Sequence, residues 1–275
     1  MRLDKIRDFK KYKRFFVFGC SFTNFQWPTW ADILHQEMPN VTFYNFGQSG
    51  GGNLFITSRV SETHKKFNFS KDDLVIIMWS TYCREDRWYE GEWITKGNVF
   101  TSFEKDYVQR YIDPLGLIIR DASLISLTLN FLDTLECDSY SMKLNDMFYE
   151  FDDFPIPFEK NPTRERTISE VKNLYSNIDN SIPIGFNTYL RNKEPNYFGH
   201  RYYHHVLDET QNDPHPNPES TLEYLKHIGF SLSESTKQYA LESQIKLKKC
   251  KTLYEILAAF PEVDFQRTYA RRLLF

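Results

Sequence analysis

The N-terminal part of the chain alternates between short apolar runs and segments with helical spacing. Three runs rich in apolar and aromatic residues predict strands, at residues 15–19, 41–47 and 72–79, and the first is typical of a strand buried on both faces of a sheet. Between them, apolar residues three or four positions apart predict two amphipathic helices, at residues 28–38 and 54–65. This alternation of strands and helices predicts parallel pairing in a right-handed, doubly wound sheet.

The pattern of the remaining chain completes this architecture. Pro28 is expected at the first position of the first helix. Residues 83–113 lose regular periodicity, and we interpret them as an irregular inserted lid. Further predicted elements are a helix at 115–136, a strand at 138–144, an excursion at 150–165, a helix capped by Asn217, and a helical C-terminal extension at 231–275. We therefore interpret residues 1–275 as a single three-layer α/β/α domain with a flavodoxin-like sheet.

Charge and cysteine usage narrow the class of protein. The 275 residues include 34 basic and 37 acidic side chains, so no global field favours nucleic acid as a partner. The four cysteines have no CxxC spacing, which is typical of reduced thiols in the cytoplasm. The apolar run before Ser21 is too short for a signal peptide, and Arg120 and Asp121 interrupt the most apolar later segment. We expect a cytoplasmic protein with no membrane partner.

Small and polar residues follow each of the three predicted N-terminal strands. Ser21 comes after the first strand, the glycine-rich residues 47–53 after the second, and Ser80 and Thr81 after the third. Because ligands of doubly wound sheets bind at the carboxyl ends of the strands, we expect these residues to share one edge. A serine there needs a base to become nucleophilic, and it needs N–H donors for the oxyanion that forms on attack.

A base for Ser21 is available in the later segment DPHP. Asp213 and His215 are two residues apart, so both side chains point to one side of an extended segment. The carboxylate can then orient the imidazole and stabilise its protonated form. The sequence therefore predicts a catalytic triad of Ser21, His215 and Asp213.

Three segments carry a resemblance to a known family. FVFGCSFT, NFGQSGGGN and DPHPNP resemble, in order, the conserved blocks of the GDSL/SGNH hydrolase superfamily, and within it a subgroup common in phage genomes. The resemblance implies the SGNH hydrolase fold, Ser21 as nucleophile, Gly50 as an oxyanion donor through its N–H, and Asp213 and His215 as the supporting pair. It also implies a reaction that needs no cofactor.

One block departs from that family pattern. Thr81 stands where the family usually has an asparagine that donates to the oxyanion, and losing one such donor costs about 100- to 1000-fold in rate. Asn53 or the Thr81 hydroxyl is the candidate replacement. Arg84 follows closely enough to bind a carboxylate or phosphate of a substrate. Two minor alternatives are a thiol nucleophile at Cys20 and a metal site at His200 and His204.

The expected activity is hydrolysis of a small acyl ester, with an O-acetyl group on a carbohydrate as the favoured substrate. Two alternatives stay open. The same triad can transfer the acyl group to an acceptor alcohol, which would make the protein an O-acyltransferase. Alternatively, the altered third block indicates an inactive glycan-binding or virion-associated module. For a viral protein, the expected location is the host cytoplasm. The sequence leaves the oligomeric state open.

Overall fold

The computed structural model describes residues 8–146 and 162–263. Within them, the strands are β1 (Arg14–Gly19), β2 (Thr42–Gly47), β3 (Asp73–Trp79), β4 (Arg84–Tyr89), β5 (Glu92–Asn98), β6 (Asp138–Lys143), β7 (His200–His204) and β8 (Glu209–Asp213). The helices are α1 (Trp30–His35), α2 (Asn53–Phe67), α3 (Val99–Ser102), α4 (Lys105–Tyr111), α5 (Pro114–Asp133), α6 (Pro162–Ser181), α7 (Phe186–Lys193), α8 (Pro218–His227), α9 (Glu234–Lys249) and α10 (Leu253–Ala259).

Four of the strands form a parallel sheet in the order β2-β1-β3-β6. The first three were predicted from runs rich in apolar residues and β6 from the segment 138–144, and the α/β class is confirmed. Because β1 lies between β2 and β3, the direction of winding reverses at β1, and this is where doubly wound sheets have a crevice at the carboxyl ends of their strands. Ser21, the predicted nucleophile, lies two residues after the end of β1.

Side chains alternate between the two faces of the sheet, and both faces are covered. Phe15 and Val17 of β1 pack in a core shared with α1 and α8. Phe16 and Phe18, one position later in each case, pack in a second core shared with α2 and α5. This alternation follows from the two-residue period of a strand. Helices on both sides are compatible with a three-layer arrangement.

The start of the first helix differs from the prediction. Pro28 was expected at its first position, but the cap residue is Thr29 and the helix begins at Trp30. The Thr29 side chain accepts a hydrogen bond from the N–H of Ala31 at 3.3 Å, and Asp32 accepts one from the N–H of Thr29 at 2.8 Å. This reciprocal pair of caps satisfies backbone donors that the proline alone leaves open, so it sets the boundary.

The irregular structure predicted for residues 83–113 is wrong, because they contain strands and helices, and their role as a lid stays a prediction. Strands β4 and β5 form an antiparallel hairpin, and α3 and α4 follow it. The turn residues Glu90 and Gly91 both have positive φ angles, 49° and 88°, as tight hairpins require. Trp88 and Trp93 face each other across the strands with ring centroids 5.7 Å apart. The aromatic residues that broke the local periodicity are therefore a cross-strand pair.

A second hairpin, β7–β8, was not predicted. Its strands pair antiparallel with His200 opposite Asp213, and the N–H of Tyr203 donates to the carbonyl of Lys251 at 2.8 Å. Up to residue 263, the predicted helical extension contains α9 and α10, which pack with this hairpin through the side chains of Tyr202 and Ile256. Residues 264–275 of that prediction lie outside the described residues. The predicted excursion at 150–165 lies largely outside the described residues.

Helix α5 is long and predominantly apolar. By length and apolar content alone it could cross a membrane, a test that the core helices of soluble proteins also pass. In this fold it packs against α2 and α6, and Thr128 donates to the hydroxyl of Thr57 on α2 at 3.1 Å. Arg120 and Asp121 lie within it and join the polar network described below.

We expect the substitution Ile77→Ala to lower the free energy of unfolding by about 2–5 kcal/mol, because it leaves a cavity in the centre of the sheet. Ile77 on β3 is fully buried. Leu127→Ala is the matched control, since Leu127 on α5 is 66% exposed, and its expected change is below about 0.5 kcal/mol. Urea denaturation measures both values. Equal losses in the two variants would contradict the described core.

Candidate active site

Ser21 lies in a tight turn directly after β1. The N–H of Thr23 donates to the carbonyl of Cys20 at 2.9 Å, which closes the turn. Gly19 has no room for a side chain there, because a Cβ atom would lie 2.0 Å from the Thr23 hydroxyl oxygen. The Ser21 side chain is therefore held at the end of a central strand, with only 4% of its surface exposed.

The three predicted triad residues come together. His215 Nε2 lies 2.7 Å from Ser21 Oγ, and His215 Nδ1 lies 2.7 Å from Asp213 Oδ1. With the imidazole proton on Nδ1, that N–H donates to the carboxylate, and Nε2 accepts the proton of the serine hydroxyl. This is the hydrogen-bonded chain that nucleophilic catalysis by serine requires. Cys20, the alternative nucleophile, is fully buried beside it.

Aromatic rings fix the plane of the His215 imidazole. Phe25 stacks on it with ring centroids 3.7 Å apart and an interplanar angle of 17°, and Phe22 lies at 4.8 Å. Trp27 packs edge-on against Phe25 and donates its indole N–H to the carbonyl of Pro216 at 2.9 Å. The ring and the backbone beside it are thus held by the same group of residues.

Asp213 is held in place by more than the imidazole. Its Oδ1 also accepts the backbone N–H of His215 at 2.9 Å, and its Oδ2 accepts the hydroxyl of Tyr202 at 3.1 Å. Tyr202 was missed from the sequence, although alternating aromatic residues at positions 200–204 are a strand signal. Gly199 allows the close approach of this segment, since a Cβ there would lie 1.6 Å from the carbonyl oxygen of His215.

Two backbone N–H groups are available near Ser21 for an oxyanion. Those of Ser21 and Gly50 donate to no acceptor within the part of the chain that the structure describes. Gly50 has a φ angle of +74°, which favours glycine. The loop that contains Gly50 starts beside the end of β1, where the N–H of Gln48 donates to the carbonyl of Gly19 at 3.0 Å. Both donors therefore lie at the same edge of the sheet.

The two candidates for the missing asparagine occupy different environments. Asn53 donates its side-chain amide to the carbonyl of Ser80 at 3.1 Å and to Asp121 at 2.8 Å, and it accepts the N–H of Ser80 at 2.8 Å. Both amide hydrogens of Asn53 thus have acceptors inside the protein, and this side chain joins α2 to the end of β3. Thr81 lines the cleft described below, with its hydroxyl 3.1 Å from the Cys83 sulfur.

The β4–β5 hairpin contacts the loop that contains Gly50. The Thr95 hydroxyl donates to the carbonyl of Ser49 at 2.8 Å. A side chain at Gly50 would collide with the carbonyl oxygen of Thr95, since a Cβ atom would lie 2.3 Å from it. The guanidinium of Arg84 donates to the carbonyl of Gly51 at 3.0 Å. Three consecutive loop residues are thus held by a segment expected to be an irregular lid.

Asp86 extends this brace to the first turn of α2, where Gly52 as cap residue has no side chain to offer. The Asp86 carboxylate accepts the N–H of Gly52 at 2.8 Å and the N–H of Phe55 at 2.9 Å. Burial raises the pKa of Asp86, and these two hydrogen bonds oppose that shift. Asp86 was missed from the sequence, because its hydrogen-bond partners are more than thirty residues away.

A buried ionic network lies behind the Asn53 amide. Asp121 on α5 accepts from Asn53 and from Arg120, whose Nε lies 2.7 Å from Asp121 Oδ1. Arg120 also pairs with Glu85 at 2.9 Å. Burial raises the pKa of Asp121 to about 7, because the loss of hydration outweighs the attraction of Arg120.

The predicted alternative metal site is not assembled. His200 and His204 lie on strand β7, where four residues span about 13 Å along the chain. His200 Nε2 lies 2.9 Å from the carbonyl oxygen of Cys250. No group of three or more potential metal ligands occurs among the described residues.

A cleft of about 640 Å³ lies beside the triad. Its wall includes the residue after Ser21 and the residue before His215, together with the end of β3. The lining residues are Phe22, Thr81, Cys83, Arg84, Asn98, Leu144, Asn145, Asn187, Leu190, Arg191, Pro195, Tyr197 and Pro214. The predicted substrate-binding residues Thr81 and Arg84 are both among them.

No model of a known protein family matches the chain, and no curated protein sequence matches it either. The geometry of the site therefore carries the functional interpretation.

We expect Asp86→Ala to lower the free energy of unfolding by about 1–3 kcal/mol, because two buried N–H groups at the start of α2 lose their acceptor. Glu136→Ala, at an exposed acidic position, is the control and should change stability by less than about 0.5 kcal/mol. Denaturant unfolding measures both. An Asp86→Ala protein as stable as the control would show that the hairpin does not brace α2.

The contribution of Asp121 to the free energy of unfolding depends on pH. Its pKa is raised in the folded state, so the folded protein binds the proton more tightly, and the stability that this group contributes is lost as the pH rises from about 4 through about 7. The free energy of unfolding of wild type minus that of Asp121→Asn should therefore fall over this range. Urea denaturation at a series of pH values over this range measures the difference. A flat difference for Asp121→Asn would contradict the raised pKa.

Proposed function

We propose that the protein is a serine hydrolase of the SGNH type that cleaves a small acyl ester. The single observation that carries this proposal is the chain of two 2.7 Å contacts that joins Ser21, His215 and Asp213. The three segments that resemble the family blocks supply this triad and the glycine-rich loop beside it. The four-stranded parallel sheet in the order β2-β1-β3-β6 is compatible with that fold.

In the first step Ser21 attacks the carbonyl carbon of the ester. The Oγ–C bond forms while His215 Nε2 takes the hydroxyl proton, and the negative charge moves to the carbonyl oxygen. Asp213 stabilises the resulting imidazolium through its bond to Nδ1. The tetrahedral intermediate then breaks its C–O bond to the alcohol, and His215 gives the proton to the departing oxygen. The acyl group remains on Ser21.

In the second step water completes the hydrolysis. The water oxygen attacks the acyl carbon while His215 takes a proton from the water. The proton then passes from His215 to Ser21 Oγ as the acid leaves. Every proton in this cycle passes through His215, so the position of its ring decides the rate. The stacking of Phe25 on the imidazole supports this role, because it limits rotation of the ring.

The oxyanion of both intermediates is assigned to backbone donors. The N–H groups of Ser21 and Gly50 have no other acceptor among the described residues, and we assign them to this role. The Thr81 hydroxyl is assigned as the third donor, in place of the family asparagine. Asn53 supports the site from behind, since its amide is committed to Ser80 and Asp121.

The polar cleft supports an oxygen-rich alcohol such as a carbohydrate as the leaving group. Asparagine and threonine side chains on its wall offer hydrogen bonds of the kind that sugar hydroxyls accept and donate. An O-acetylated carbohydrate is therefore the favoured substrate. The same chemistry with an acceptor alcohol in place of water would give acyl transfer.

The proposal is tested with a fluorophosphonate probe and intact-mass detection. We expect wild type to gain the mass of one covalent adduct and Ser21→Ala to gain none, because only an activated serine attacks the probe. Ser61→Ala, at an exposed serine on α2, is the control and should label like wild type. The melting temperature of Ser21→Ala should match that of wild type.

Two results would contradict the proposal. A well-folded wild type that gains no adduct would favour the binding-module alternative, and an adduct that persists in Ser21→Ala would place the reactive group elsewhere. With labelling established, turnover of acetyl esters with and without an added acceptor alcohol separates hydrolysis from transfer.

A further inference from the structure

The cleft beside the triad has an unusual charge for this protein. Acidic residues outnumber basic residues in the chain, 37 to 34. Among the residues that the structure describes, the wall of the cleft nevertheless contains two arginines, Arg84 and Arg191, and no aspartate or glutamate. Arginines on the wall attract anions.

Arg84 lacks a carboxylate partner in the part of the chain that the structure describes. It is half-buried, and its guanidinium donates to the carbonyl of Gly51 but forms no ion pair there. The Asp86 carboxylate, two residues later, is committed to the N–H groups of Gly52 and Phe55. Because a guanidinium presents several N–H donors in one plane, Arg84 retains donors that match a carboxylate or phosphate.

Two asparagine amides on the same wall add neutral donors. Asn98 uses its side-chain oxygen to accept the N–H of Phe100 at 2.9 Å, so that its NH₂ group is left over. Neither that NH₂ group nor the side chain of Asn187 is hydrogen-bonded within the described residues. The described part of the wall thus carries two cationic side chains and two neutral amides, and no acidic side chain.

The geometry points to an ester substrate that also carries a negatively charged group, bound by Arg84 and Arg191. We propose that this group is a carboxylate or a phosphate on the sugar or polyol that bears the acyl ester. The inference rests on the proposed function and adds the charge of the substrate to it. Phe22 and Pro214, which line the cleft, are the chain neighbours of Ser21 and His215, and Arg84 and Arg191 lie on the same wall.

The test compares three acetylated methyl glucosides that differ only in the substituent on carbon 5. This substituent is a neutral hydroxymethyl group in the first, a carboxylate in the second and a phosphorylated hydroxymethyl group in the third. We expect kcat/KM of wild type to be about 10- to 100-fold higher for an acidic ester than for the neutral one, the range that a charge-assisted hydrogen bond supports. Comparison of kcat/KM for the carboxylate ester with that for the phosphate ester identifies which anion the cleft binds.

Variants assign this preference to residues. Arg84→Gln and Arg191→Gln should each lower the ratio of kcat/KM for the acidic ester over the neutral ester by about 10-fold or more. Arg110→Gln is the control, because Arg110 on α4 is exposed and outside the cleft, and it should leave both values unchanged. A double variant of Arg84 and Arg191 should abolish the preference.

The inference is overturned if wild type cleaves the neutral ester as well as the acidic ones. It is also overturned if Arg84→Gln lowers both values equally, since that result would mean that Arg84 only holds the loop at Gly51. Failure of the proposed function is distinguishable, because it appears as absent fluorophosphonate labelling. If Ser21 labels but no ester is cleaved, calorimetric binding of methyl glucuronoside and methyl glucoside to Ser21→Ala decides, and equal affinities would overturn the inference.

Discussion

The hydrogen bond between His215 and Ser21 is the contact on which the proposed chemistry depends. Its two partners are 194 residues apart in the chain, so no local segment can form it. A contact of 2.7 Å demands that both ends be held to within a fraction of an ångström. The central strand β1 holds Ser21. The short segment between β8 and α8 holds His215, with Phe25 against the ring and Gly199 behind the backbone.

Two antiparallel hairpins outside the parallel sheet hold residues that surround this contact. The β7–β8 hairpin ends at Asp213 and supplies Tyr202, whose hydroxyl holds the second carboxylate oxygen. The β4–β5 hairpin holds the glycine-rich loop and, through Asp86, the start of α2. The sheet thus sets the position of Ser21, and the hairpins set the positions of Asp213 and of the glycine-rich loop.

Charge is divided between the interior and the cleft. The buried acids Asp86 and Asp121 face inward and are satisfied by helix N–H groups, Asn53 and Arg120. Their burial is costly, and it is tolerated because each carboxylate has donors on both oxygens. The cleft wall has arginines and amides instead. The buried carboxylates of Asp86 and Asp121 therefore do not occupy the N–H donors of the arginines and amides on the cleft wall.

The sequence by itself determined three of the four parallel strands, most helices and the grouping of Ser21, His215 and Asp213, because these depend on apolar runs, helical periodicity and a compact Asp-x-His segment. It did not reveal the two hairpins, whose pairing brings together residues such as Trp88 and Trp93 that fit no single-strand or helical period. Nor could it decide whether Asn53 or Thr81 replaces the asparagine that the family uses as an oxyanion donor. Asn53 is bound to Ser80 and to Asp121, 27 and 68 residues away, and only the folded chain brings those partners within hydrogen-bond distance.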